Sequence, residues 1–150
     1  TALYDALGTL IQNIDECRFQ NYIIVIITDG CENSSKKYDS HFIKKLIDTK
    51  TSDSRKETEP TWDFIYLGAN QDAILESSKI GIKRDTTMNY NTNNQSIKEL
   101  YIGVSKAISR KMSDHSVLSF TDVERNATQT HHHVTDTPKP PQLQRSKTMY

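Results

Sequence analysis

The stretch Tyr22-Ile23-Ile24-Val25-Ile26-Ile27-Thr28-Asp29-Gly30 decides how this chain folds. A run of large apolar, mostly β-branched residues reads as a strand buried on both faces, as in a parallel sheet covered by helices. Open α/β sheets hold ligands at the carboxyl ends of their strands, and this strand ends in a carboxylate and a glycine. Asp29 is therefore placed to hold a hard cation or a polar substrate, and Gly30 allows a sharp turn beside it. The alternative is a strand-ending Asp-Gly turn without a ligand.

Outward from this strand, helices and strands alternate. Leu3, Leu7, Leu10, Ile11 and Ile14 fall at helical spacing, so a helix is expected over residues 2–16. Gly8 inside it costs about 1 kcal/mol relative to alanine, which points to close packing against a neighbour. Phe42, Ile43, Leu46 and Ile47 predict a second helix over 39–48, capped by Asp39 or Ser40. Residues 49–60 are polar and read as an exposed loop. A second strand follows at 62–67, then a short helix near 71–79 and a short strand near 86–90. The last helix is read from a capping box at Ser96 and Glu99 and an apolar stripe through Ile97, Leu100, Tyr101, Val104 and Ile108. The fold class expected is α/β, a doubly wound parallel sheet with helices on both faces, over residues 1–111. Residues 112–150 are expected to be a flexible tail, because few large apolar side chains offset the cost of ordering.

Composition narrows the function. The 150 residues carry 19 basic and 19 acidic side chains, so no net field attracts nucleic acid or an anionic membrane. No apolar run reaches the ~20 residues of a membrane-spanning helix, and no signal peptide opens the sequence. Cys17 and Cys31 are too few for a disulfide framework and read as free, buried thiols.

Three motifs occur in order: Thr1-Ala2-Leu3-Tyr4-Asp5-Ala6-Leu7, then Thr28-Asp29-Gly30-Cys31-Glu32-Asn33-Ser34-Ser35, then Trp62-Asp63-Phe64-Ile65-Tyr66-Leu67-Gly68-Ala69-Asn70-Gln71-Asp72-Ala73. Together they resemble the C-terminal two-thirds of a von Willebrand factor A domain, of the kind found in intracellular and phage proteins. The resemblance implies a cytoplasmic, non-enzymatic protein-binding module. In that family a metal-ion-dependent adhesion site holds a divalent cation, and the partner's acidic side chain completes its shell. By this resemblance the metal ligands are Thr1 and Asp29, the cofactor is magnesium, and Gly30 matches the glycine that follows the aspartate. No DxSxS element precedes Thr1. The loose match at Asp114-His115-Ser116-Val117-Leu118 has leucine where the last serine belongs. The magnesium site is thus expected to be incomplete, since one hydroxyl and one carboxylate bind an ion that sheds its waters reluctantly.

Two other readings of Asp29 stay open. It is a magnesium-dependent phosphoacceptor if a second carboxylate and a lysine stand beside it, or the chain is a truncated remnant without a ligand. The strand at 22–28 is expected to form an exposed apolar edge, which invites self-association. His131, His132 and His133 read as a polar run rather than a metal site, because neighbouring side chains of an extended segment diverge. The sequons at Asn33, Asn94 and Asn126 read as chance patterns, as does the kinase-like Arg145-Ser146-Lys147-Thr148. Pro138, Pro140 and Pro141 fit a plain linker.

Overall fold

The computed structural model describes residues 1–14, 19–54, 56, 58–69, 72–114 and 116–129. Cys17, the histidines at 131–133, the prolines at 138–141 and the pattern at 145–148 lie outside the described residues. Leu7 and Ile11 are the buried residues around which α1 (Leu3–Asn13) forms, and the chain turns extended at Ile14. The isoleucine run becomes β1 (Asn21–Thr28). In α2 (Ser40–Lys50) the Asp39 carboxylate accepts the Phe42 N–H at 2.8 Å, the capping expected from sequence. Next come β2 (Thr61–Ala69) and α3 (Ala73–Lys79). The Asp72 carboxylate caps α3 through the Leu75 N–H. The helix ends in a Schellman motif: Gly81 N–H donates to Ser78 and Ile82 N–H to Ser77, with Gly81 at φ 81°. A 3-10 turn (Arg84–Thr86) then leads into β3 (Thr87–Tyr90).

All three strands are parallel, in the order β1-β2-β3, and Ile24 pairs with Phe64 and Ile26 with Tyr66. Side-chain alternation sorts the sheet into two faces. One face carries Ile26, Trp62, Phe64 and Tyr66, packed with Leu7, Ile11, Ile43, Ile47 and Ile80 from α1, α2 and the end of α3. The other carries Ile65, Leu67, Met88 and Tyr90, packed against Leu100 and Ala107 of α4 (Asn94–Asp114) and against Leu118 and Phe120. The chain is therefore an α/β fold with helices on both faces of a parallel sheet.

Three expectations need correction. The 22–28 run is not buried on both faces: β2 is the doubly buried strand, while β1 is the exposed edge that was also expected, with Val25 and Ile27 open, because isoleucine-rich composition alone cannot tell a central strand from an edge. The last helix starts earlier than the Ser96–Glu99 pattern suggests, because Asn93 Oδ1 accepts the Ser96 N–H at 2.8 Å. The flexible tail expected from residue 112 is not found over 116–129. There Leu118 and Phe120 enter the core, and α5 (Asp122–Ala127) forms behind a capping box of Thr121 and Glu124. Arg110 of α4 holds Glu124 through both carboxylate oxygens at 2.7 and 2.9 Å, and also donates to the Ser119 carbonyl. Burial works to raise the Glu124 pKa, but Arg110 and the Thr121 N–H outweigh it and leave it lowered. Among the described residues, no helix is long and apolar enough to cross a membrane.

Candidate functional site

Parallel strands all end on the same side, so Thr28, Ala69 and Tyr90 bring one edge of the sheet together. Asp29 stands there, exposed, one residue past β1. Among the described residues its carboxylate has no hydrogen bond and no ion pair. The Tyr90 phenol at the end of β3 has its pKa raised by burial and further by the Asp29 charge, so both groups share this end of the sheet. Gly30 does not supply the turn through its own freedom: its φ is not positive and a Cβ there would meet nothing within 4 Å. Thr28 makes the turn instead, its hydroxyl donating to the Gly30 carbonyl at 2.8 Å.

Thr1 lies against the same loop, but through its backbone. Its amino group donates to Asn33 Oδ1 at 2.8 Å, and its carbonyl accepts the Asn33 N–H at 3.3 Å. The structure brings Thr1 to the loop that follows Asp29, with no bond between their side chains among the described residues.

Two carboxylates that sequence reasoning did not assign hold this loop. Glu32 accepts the N–H groups of Tyr4, Ser34 and Ser35 at 3.0, 2.8 and 2.7 Å. Asp5 accepts those of Lys36, Lys37 and Tyr38, each at 2.9 Å. The Ser35 hydroxyl closes the clamp by accepting the Asp5 N–H. Burial works to raise the Glu32 pKa, but the Ser35, Ser34 and Tyr4 N–H groups outweigh it and hold it lowered to about 2. The Lys36 N–H, with those of Tyr38 and Lys37, likewise lowers Asp5. Both residues sit in the quoted motifs, yet nothing in their spacing announces that they meet.

A depressed carboxylate pKa stabilises the folded chain above the ordinary value of 4.5, and that contribution is lost as pH falls through about 2. Stability is therefore expected to decline between about pH 4.5 and pH 2, with Glu32→Gln flattening part of the decline in denaturation midpoints measured across that range.

The clamp also bears on metal. Glu32 and Asp72, the further acids of the quoted motifs, are both engaged by backbone N–H groups. Lys79 is paired with Glu76 at 2.6 Å. Among the described residues no group of three or more His, Cys, Asp or Glu side chains is assembled for an ion. One exposed carboxylate and one threonine do not fit magnesium's octahedral demand. Cys31, expected as a buried thiol, is free and exposed on this loop.

Elsewhere, a cleft of about 380 Å³ lies at the amino end of β2 beside Trp62, Asp63, Lys83 and Lys111. Its buried Asp63 Oδ2 is compensated by the Lys111 ammonium at 3.0 Å, an ion pair without hydrogen-bond geometry. The hydroxyls of two sequons are structural. Ser96 Oγ accepts the Asn91 N–H and donates to the Thr128 carbonyl, while Thr128 Oγ1 donates to the Asn89 carbonyl.

No family model, curated protein or solved structure gives a significant match to this chain.

Proposed function

We propose that the chain is a protein-binding module of von Willebrand factor A type, with its contact surface at the carboxyl end of the sheet. The observation that supports this is Asp29: an exposed carboxylate without a partner among the described residues, on a loop whose neighbouring acids are committed to holding it. A contact group on a loop already ordered loses little conformational entropy on binding. The order of the three motifs adds the family resemblance. Thr1 and Asp29 give magnesium a weak foothold at most, so an acidic partner group would be repelled by Asp29 unless an ion stood between them.

A phosphoacceptor role for Asp29 draws no support from the site. It wants a second acid and a lysine, but Glu32 is bonded to backbone N–H groups and Lys79 to Glu76. A photo-crosslinking side chain at position 30, where a Cβ meets open space, tests the proposal in the protein as it occurs in cells. A discrete crosslinked product that Asp29→Ala removes is expected, while the same probe at Lys45, on α2, gives none. A product dependent on magnesium marks an ion-bridged acidic partner, and one that persists in chelator marks direct contact. A product indifferent to Asp29→Ala would overturn the reading, and no product at all would favour a remnant without a ligand.

A further inference from the structure

On one side β2 outruns its neighbour. It spans Thr61–Ala69, and β1 pairs with it over 61–68, but β3 pairs only with 66–69. Along a pleated strand, successive residues turn their backbone N–H and C=O groups to alternate sides. The Thr61 N–H donates to the Gln20 carbonyl at 2.9 Å, on the β1 side, so Asp63 and Ile65 also face β1. Trp62 and Phe64 face the other way. There β3 does not reach them, because the chain turns at Arg84–Thr86, where the Thr86 N–H returns to the Lys83 carbonyl at 3.2 Å. Among the described residues no loop or side-chain group bonds to the backbone of Trp62 or Phe64, although both are only 4% exposed. Buried backbone groups are ordinarily paired.

The space beside these two residues is the cleft of about 380 Å³, a volume within the range of ligand sites. Ile47, Trp62, Phe64 and Ile82 wall one side of it, and Lys111 and Leu118 the other. The turn at 84–86 closes the end nearest β3. The charges that line the cleft differ in their partners. Lys111 compensates Asp63 at 3.0 Å, and Asp85 lies in the field of Arg125, which donates to its carbonyl. Lys83 is exposed and has no ion pair among the described residues.

We propose that this cleft binds the carboxyl-terminal end of a partner polypeptide, laid parallel to β2 as a short added strand. An extended backbone supplies both the donors and the acceptors that Trp62 and Phe64 face. A strand in line with β3 meets the turn at 84–86, so the occupant ends there rather than passing through. Lys83 makes a carboxylate the fitting end, since an amino terminus would meet it with like charge. Side chains level with Trp62 and Phe64 join the apolar wall of Ile47 and Ile82. The side chain between them falls on the face of the Asp63–Lys111 pair, already neutral, so the recognised ending is apolar, uncharged polar, apolar. The cleft lies at the opposite end of the sheet from Asp29, and this inference does not rest on that residue's role.

Trp62 is the one tryptophan of the sequence, so its fluorescence reports on the cleft directly. The probe is N-acetyl-valyl-seryl-valine with a free carboxylate, titrated into the full chain up to tens of millimolar. A saturable change is expected. The carboxamide of the same peptide should bind about tenfold more weakly, because it loses the charged contact. N-methylation at both the serine and the last valine, one of which faces β2, should weaken binding about fivefold. Lys83→Met, at an exposed position, should reduce the free acid to the affinity of the carboxamide and leave the carboxamide unchanged. Asp29→Ala should alter none of these values, so failure here and failure of the Asp29 reading are told apart. No saturable change would overturn the proposal. So would equal binding of the acid and the carboxamide, undiminished binding of the N-methylated peptide, or a free acid indifferent to Lys83→Met.

Discussion

Leu118→Ala is expected to destabilise the chain by about 3 kcal/mol, within the range of about 2–5 kcal/mol for emptying a buried leucine site. Leu118 is 2% exposed and lies in the cluster with Ile65, Met88 and Leu100, although it comes after the last long helix. The surrounding segment has little room to collapse into the vacated space. Arg110 ties Glu124 and Ser119 to α4, while Arg125 donates to the carbonyls of Thr87, Arg84 and Asp85. Burial lowers the Arg125 pKa, as expected for a guanidinium used inside the fold rather than on its surface. Urea denaturation measures the effect as a lower midpoint at unchanged slope. A change below about 0.5 kcal/mol, the ordinary range for a surface substitution, would mean that residues 116–129 do not close the core.

Gly8→Ala is expected to destabilise by about 1–2 kcal/mol, opposite in sign to helix propensity, which favours alanine by about 1 kcal/mol. The reason is Tyr38. A Cβ at position 8 would lie 2.5 Å from Tyr38 Cδ2, 2.7 Å from Cε2 and 3.1 Å from Ile43 Cδ1. The Tyr38 ring cannot swing away freely, because it stacks on Phe42 at 4.7 Å and its hydroxyl donates to Gln12 at 2.6 Å. Its backbone N–H is held by Asp5. A double-mutant cycle with Tyr38→Ala isolates this overlap: the cost of Gly8→Ala should disappear, or reverse, once the ring is gone. A stabilising Gly8→Ala in the native background would show that the α1–α2 approach is looser than the structure has it.

The parts of the fold legible in sequence are those set by local pattern. Apolar blocks pointed to parallel strands at 22–28 and 62–67, found at 21–28 and 61–69, Asp39 was a readable cap, and Gly8 announced a close approach. Residues 116–129 of the expected tail were misread because their anchoring is tertiary and polar. Leu118 and Phe120 are two isolated apolar residues, and what secures them is Arg110 and Arg125, charges that composition assigns to solvent. A local signal did exist in Thr121-Asp122-Val123-Glu124, a capping box outweighed by the polar residues after it. The site shows the same division. Asp29 was singled out because strand ends carry ligands in such sheets, and the structure shows its position, exposed just past β1. The roles of Asp5 and Glu32 were not, since the loop clamp joins residues some thirty positions apart through backbone N–H groups that no side-chain pattern records.

The division of labour among these acids is open to direct measurement by comparing the unfolding free energies of Asp29→Asn and Glu32→Gln at neutral pH. Glu32→Gln should lose about 1–2 kcal/mol, a figure for charged hydrogen bonds discounted for the side chain's partial exposure. Asp29→Asn should fall within about 0.5 kcal/mol of the parent chain, as expected of an exposed carboxylate without a hydrogen bond among the described residues. The reverse order, with Asp29→Asn costly and Glu32→Gln neutral, would make Asp29 the structural acid and contradict its assignment as the contact group.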